Sequence, residues 1–311
     1  MTKNSNPAEI QRKVAIIFMI CAFFLVLIVL SFFSKFDQIL YSPKITPKEW
    51  CENQPCVELN ILGNTIIIVQ PSSTFFVYLL GILTVYIGLH FIRNRDNQES
   101  RLWWGVALIL WGLGALFAGT SYQVFSYEIK CVGRDFCLWT SWWEIVYLIL
   151  SVGSVVAMIM AQSYSCITEK WRTPISIYAF VIIVSYIIIV LIGSCIPVKF
   201  MISFELMILF LAPNILIFFF LNSWNYYKNR NHLDLVLLVI WISLGIIIGI
   251  YYLYLVLGIT ERLWENGIWF SENDVLHISL IVWMIYIRIT LNRHLKDTGG
   301  NYGVKKKIIN L

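Results

Sequence analysis

"DLVLLVIWISLGIIIGIYYLYLVL", residues 234–257, carries a single charge, at its first position. At about 1.5 Å per residue a helix of this length exceeds the ~30 Å hydrocarbon core of a bilayer. Seven further stretches read the same way: 14–34, 73–93, 102–125, 142–164, 174–196, 200–222 and 274–292. The chain of 311 residues is 59% hydrophobic and 13% charged, where soluble domains carry about 25% charge. The expected fold class is all-α: a polytopic membrane protein of about eight transmembrane helices, a seven-helix core preceded by an N-terminal helix. All of residues 1–311 form one transmembrane domain, with no repeat and no low-complexity tract. The first apolar run, "VAIIFMICAFFLVLIVLSFF" at 14–33, is too long for a signal-peptide core. No small-residue cleavage site follows, so it reads as a retained helix or signal anchor.

Lysine and arginine set the expected orientation. With the N-terminus cytoplasmic, sixteen of the 23 fall inside, and both termini are cytoplasmic. Twelve of the 18 acids fall on or near the outer side, so the net +5 reflects topology and gives no reason to expect a nucleic-acid partner. The lipid bilayer is the expected partner, and the basic tail "GVKKKIINL" is suited to anionic lipid. Cys51, Cys56, Cys131 and Cys137 all fall in outer loops, where disulfides persist; their pairing is open among three possibilities. The outer loop 35–72 contains "VELNILGNTIIIVQP", two β-branched runs joined at Gly63-Asn64, which predicts a small β-hairpin.

Small residues recur at helical spacing: Gly105, Gly112 and Gly119 in one span, Ser151, Ser154 and Ala157 in the next, Gly245 and Gly249 in another. Such faces let backbones approach closely in lipid. Pro213, within "LAPNIL", is a candidate break in a span.

Ionisable groups inside spans are costly and default to functional hypotheses. Four spans place polar groups at one depth near the outer side. These are Thr120, Ser121 and Gln123 in "GTSYQVF", Glu144 after "WTSWW", Ser203 and Glu205 in "KFMISFELMILF", and Glu272, Asn273, Asp274 and His277. Together they predict an outward-facing polar cavity within the bundle. A structural reading stands beside each. Asp274 and Asn273 suit helix caps, His277 an interior histidine, Gln123 an interhelical bond, and Glu144 the headgroup level. Glu205 is the hardest to explain structurally.

The segments "GTSYQVF" and "ENDVLHISLIVW" sit in the second and seventh helices of the seven-helix core. In this the chain resembles the superfamily of alkaline ceramidases, adiponectin-receptor-type proteins and hemolysin-III-like membrane proteins. The resemblance implies a zinc-dependent intramembrane amide hydrolase, with a Ser-x-x-x-His motif in core helix two, a nearby Asp, and a His-x-x-x-His in core helix seven. This chain departs from that pattern. Gln123 stands where a histidine would, Gly119 where the serine would, and His277 has Asn273 and Ile281 four residues to either side. Only His277 carries across, with Glu144 in the place of the Asp.

On this reading Glu144, Glu205 and His277 are the catalytic candidates. Ser121, Gln123 and Asn273 contact substrate, and His277, Asp274 and Glu205 are the ligands of a divalent metal such as zinc. The expected function is a divergent lipid hydrolase or lipid-binding relative. The alternatives are a non-enzymatic receptor, carrier or proton-coupled transporter, and a structural assembly partner.

Overall fold

The computed structural model describes residues 39–61 and 63–298; the span expected at 14–34 and the basic tail lie outside the described residues. The described residues open with a small cap ahead of the spans. Helix α1 (Pro47–Glu52) opens on a capping box in which Thr46 and Glu49 satisfy each other's backbone N–H. Strands β1 (Cys56–Ile61) and β2 (Asn64–Val69) pair antiparallel, with Ile61 opposite Asn64. The hairpin is therefore present, but its turn falls one residue earlier than Gly63-Asn64: Asn64 already belongs to β2, and Gly63 takes the positive φ. Both disulfides are local, Cys51–Cys56 and Cys131–Cys137. Trp50 and Val69 pack against Cys131 and Cys137, so the cap is one small core.

Among the described residues, seven helices are long and apolar enough to span a bilayer. They are α2 (Pro71–Arg93), α3 (Glu99–Ala118), α5 (Trp142–Ser165), α6 (Arg172–Cys195), α7 (Phe204–Asn229), α8 (His232–Val256) and α10 (Glu272–His294). Short helices α4 (Ser126–Lys130) and α9 (Ile259–Glu265) lie between spans at the cap end. The protein is a multi-pass membrane protein. Polar residues start several helices: Ser203 accepts from Leu206 N, Asn231 from Leu233 N, and Ser271 forms a capping box with Asp274. Pro213 does not divide its span; α7 runs unbroken through it, with Asn214 Nδ2 donating to Phe210 O at 2.8 Å.

The spans close into a ring. Helix α2 packs between α3 and α10, α3 on α5, α5 on α7, α7 on α8, and α8 on α10, while α6 leans on α5 from outside. Glycines explain the tightest contact. A Cβ at Gly105 would lie 2.8 Å from Gly88 O, and one at Gly112 2.7 Å from Gly81 O, so α2 and α3 meet backbone to backbone. Gly245 and Gly249 behave otherwise: a Cβ at either meets nothing within 4 Å, so the expected close packing there is absent among the described residues. At the end opposite the cap, Asp297 accepts from Glu99 N and Ser100 N, tying the segment after α10 to the start of α3.

Candidate functional site

The ring encloses a cavity of about 220 Å³ in its cap half. Each contributing helix turns one stripe toward it at helical spacing. Trp111, Ala115 and Ala118 come from α3, Tyr147, Ser151 and Val155 from α5, and Met207, Leu211 and Ile215 from α7. Helix α2 adds Val77 and Leu80, and α10 adds Leu276, His277 and Leu280. Small Ala115 and Ala118 leave room that larger residues would fill, and Trp111, 5.3 Å from the Trp283 ring, gives one wall a rigid aromatic face.

His277 is the one histidine on the cavity wall. It is 8% exposed, and its Nδ1 is buried without a hydrogen-bond partner. A neutral imidazole offers one donor and one acceptor. Leaving such a group unpaired costs about 1–3 kcal/mol, which makes His277 the cavity's unanswered polar group.

The remaining predicted residues do not join it. Glu144 is buried, but it belongs to a second cluster beneath the cap. Lys130 Nζ lies 2.6 Å from Glu144 Oε1, and Ser121 Oγ donates to the same oxygen at 2.7 Å. Ser121 also meets Ser141 Oγ at 2.6 Å. The rings of Tyr122, Trp50 and Tyr41 stand 5.0, 5.8 and 6.0 Å from the ammonium. Burial alone would lower the Lys130 pKa, but Glu144 and Tyr41 outweigh it and hold the group above its ordinary value.

Gln123 is buried in a π-helical turn, Gly119–Val124, that extends α3; its Oε1 has no partner, and it does not line the cavity. Glu205 is exposed in the first turn of α7, where a helix N-terminus favours an acid. Asp274 is fully buried as a cap: Oδ2 accepts from Ser271 N at 2.6 Å and from Ser72 Oγ at 3.3 Å, while Oδ1 is unpartnered. Asn273 donates its backbone N–H to Ser271 Oγ and its amide to Glu272.

Thus the expected ligand set His277, Asp274 and Glu205 does not converge. Among the described residues no three His, Cys, Asp or Glu side chains are grouped to hold a metal. The physical reason is that Asp274 caps its helix and Glu205 points out of the bundle. Sequence reasoning missed Lys130, Tyr147 and Trp111. Lys130 gave no signal, because a loop lysine is ordinarily solvated, and Ser151 appeared only as part of a packing face.

Fold and cavity together define a multi-pass membrane protein, with seven candidate spans among the described residues and a mostly apolar chamber marked by one histidine. The chain belongs to a family of unknown function, DUF6962, which it matches over residues 73–295, all but the first two residues of the helical ring. No curated protein and no solved structure matches it.

Proposed function

We propose that this protein is a ligand-binding membrane protein, a receptor or carrier, that takes an apolar molecule into the chamber between its spans. The observation that carries this reading is His277, buried and unpaired on the wall of an otherwise mostly apolar cavity. Apolar cavities of about 150 Å³ stay dry and take up benzene. A chamber of about 220 Å³ suits a single ring or a short alkyl segment with one polar atom. Small-molecule sites share this pattern of apolar walls and few polar groups.

The resemblance to ceramidase-like hydrolases supports an ancestry of lipid chemistry in the same helices. A hydrolytic zinc keeps about three protein ligands and a water. Only His277 of the carried-over residues faces this cavity, so binding is the reading the geometry supports best. The cap end is proposed to face outward, since it carries both disulfides, and both termini to face the cytoplasm by the distribution of basic residues.

The test uses full-length protein in lipid nanodiscs and ¹⁹F NMR of fluorobenzene. A saturable bound resonance is expected in the wild type and is lost in Ala115→Trp, which fills the chamber. If the two proteins give the same spectrum while both remain folded, the cavity takes up no ligand and the reading fails.

A further inference from the structure

The chamber's wall is least tightly packed on one side, and that side bears on what fills it. Helix α8 separates α7 from α10, but its buried residues run from Leu233 only to Ile247. From residue 248 to 256 nothing on α8 is buried; Tyr251 and Tyr254 are partly covered, and Tyr252, Leu253, Leu255 and Val256 are exposed. At that same cap-half depth the cavity takes walls from α7 (Met207, Leu211, Ile215) and from α10 (Leu276, Leu280), but none from α8. Helices α7 and α10 each pack on α8 and are not close neighbours of one another. The ring is thus closed by buried side chains of α8 in its lower half, while in its cap half α8 offers only the partly covered Tyr251 and Tyr254, so the seam between α7 and α10 is loosest there. In a membrane that seam faces acyl chains.

Resting on the reading above, we infer that the chamber is filled sideways from the bilayer by a neutral amphiphile, whose single hydroxyl or carbonyl group bonds to His277 and whose chain trails out between α7 and α10. The chemistry follows from the walls. Apart from Tyr147, Ser151 and the donor-only indole of Trp111, His277 is the polar side chain lining the cavity, and Ser151 Oγ already donates to Tyr147 O. No ionised side chain lines it, so a charged head would enter uncompensated. The volume accommodates only the polar end and the first few carbons. The rest of any longer chain would then lie along this seam, against exposed apolar surface such as Leu253, Leu255 and Val256 of α8.

Photolabelling in nanodiscs tests this with three probes, each carrying a diazirine at the same place: a medium-chain alcohol, a long-chain alcohol and a medium-chain hydrocarbon. Adducts are mapped by mass spectrometry. The expected result is labelling of the stretch 207–215 and of 276–280 by both alcohols with similar efficiency, since the chain leaves the chamber. The hydrocarbon is expected to label these stretches about five- to tenfold less, the worth of one hydrogen bond. His277→Leu should abolish the alcohol preference, and His277→Gln, which keeps a donor and an acceptor, should restore most of it. Exclusion of the long-chain alcohol alone would overturn the entry between α7 and α10. Equal labelling by alcohol and hydrocarbon in the wild type would overturn the role of His277. Absence of labelling by all three would instead defeat the binding reading itself.

Discussion

At the scale of single residues, the buried pair Lys130–Glu144 shows how a charge can serve the architecture. Both side chains are almost wholly removed from solvent, at 1% and 4% exposure, and one lies in the cap while the other lies in a span. Removing one partner strands the other, at a cost of about 3–5 kcal/mol. Glu144→Ala is therefore expected to lower the melting temperature sharply, and Lys130→Met combined with Glu144→Leu to recover most of the loss, as read by thermal unfolding of the full chain. The pair also has a definite pH sense. Because the folded Lys130 pKa lies above the ordinary 10.5, its contribution is complete below that value and is lost as pH rises through the folded one. The wild type should therefore lose cap stability in strong alkali by a component that the double variant lacks. His277 was legible as a site candidate because a histidine in an apolar span is costly wherever it sits. Lys130 was not, because its cage is drawn from Tyr41, Trp50 and Tyr122, residues distant in sequence whose convergence no local pattern records. Glu205 misled for a related reason: five residues into an apolar run looks deep, but the helix begins only at Phe204.

At the scale of elements, glycines recurring at helical spacing have opposite structural meaning in two spans. On α3 an added side chain meets the backbone of α2, within 2.7–2.8 Å at Gly112 and Gly105. On α8 the added atom meets open space. Gly105→Leu is expected to force the helices apart and destabilise by about 1–3 kcal/mol, as overpacked cores do. Gly245→Ala and Gly249→Ala should leave the fold unchanged or slightly firmer, because alanine is the better helix former by about 1 kcal/mol. Denaturation of the three variants in mild detergent checks the contrast, and equal loss in all three would contradict it. The spans themselves were readable from hydropathy to within a few residues at most ends, since length and apolarity are local properties. Which glycines find a partner depends on the ring order, and spacing says nothing of that.

At the scale of the whole molecule, an odd number of described spans puts the cap and the segment ending at Thr298 on opposite faces of the membrane. The cap holds both disulfides, and the opposite face holds the turn between α2 and α3 and the strap from Leu295 to Thr298. Lysine and arginine are concentrated at that opposite face, as at Arg93, Arg95, Arg101, Lys170, Arg172, Lys228 and Arg230. Positive charge resists translocation, which is the ground for the proposed orientation, with this face in the cytoplasm and the cap outside. The apolar run at 14–34 then decides where the N-terminus lies: one more crossing returns it to the cytoplasm, whereas no crossing leaves it outside with the cap. Epitope tags at the two ends of the full chain separate these outcomes in intact and permeabilised cells. Both tags are expected to be reachable by antibody only after permeabilisation. An N-terminal tag reachable in intact cells, with the C-terminal one hidden, would remove the eighth span while keeping the orientation of the ring. The reverse pattern would turn the ring over. The entry inferred between α7 and α10 would then lie at the depth of the cytoplasmic leaflet, and the amphiphile would be drawn from that side.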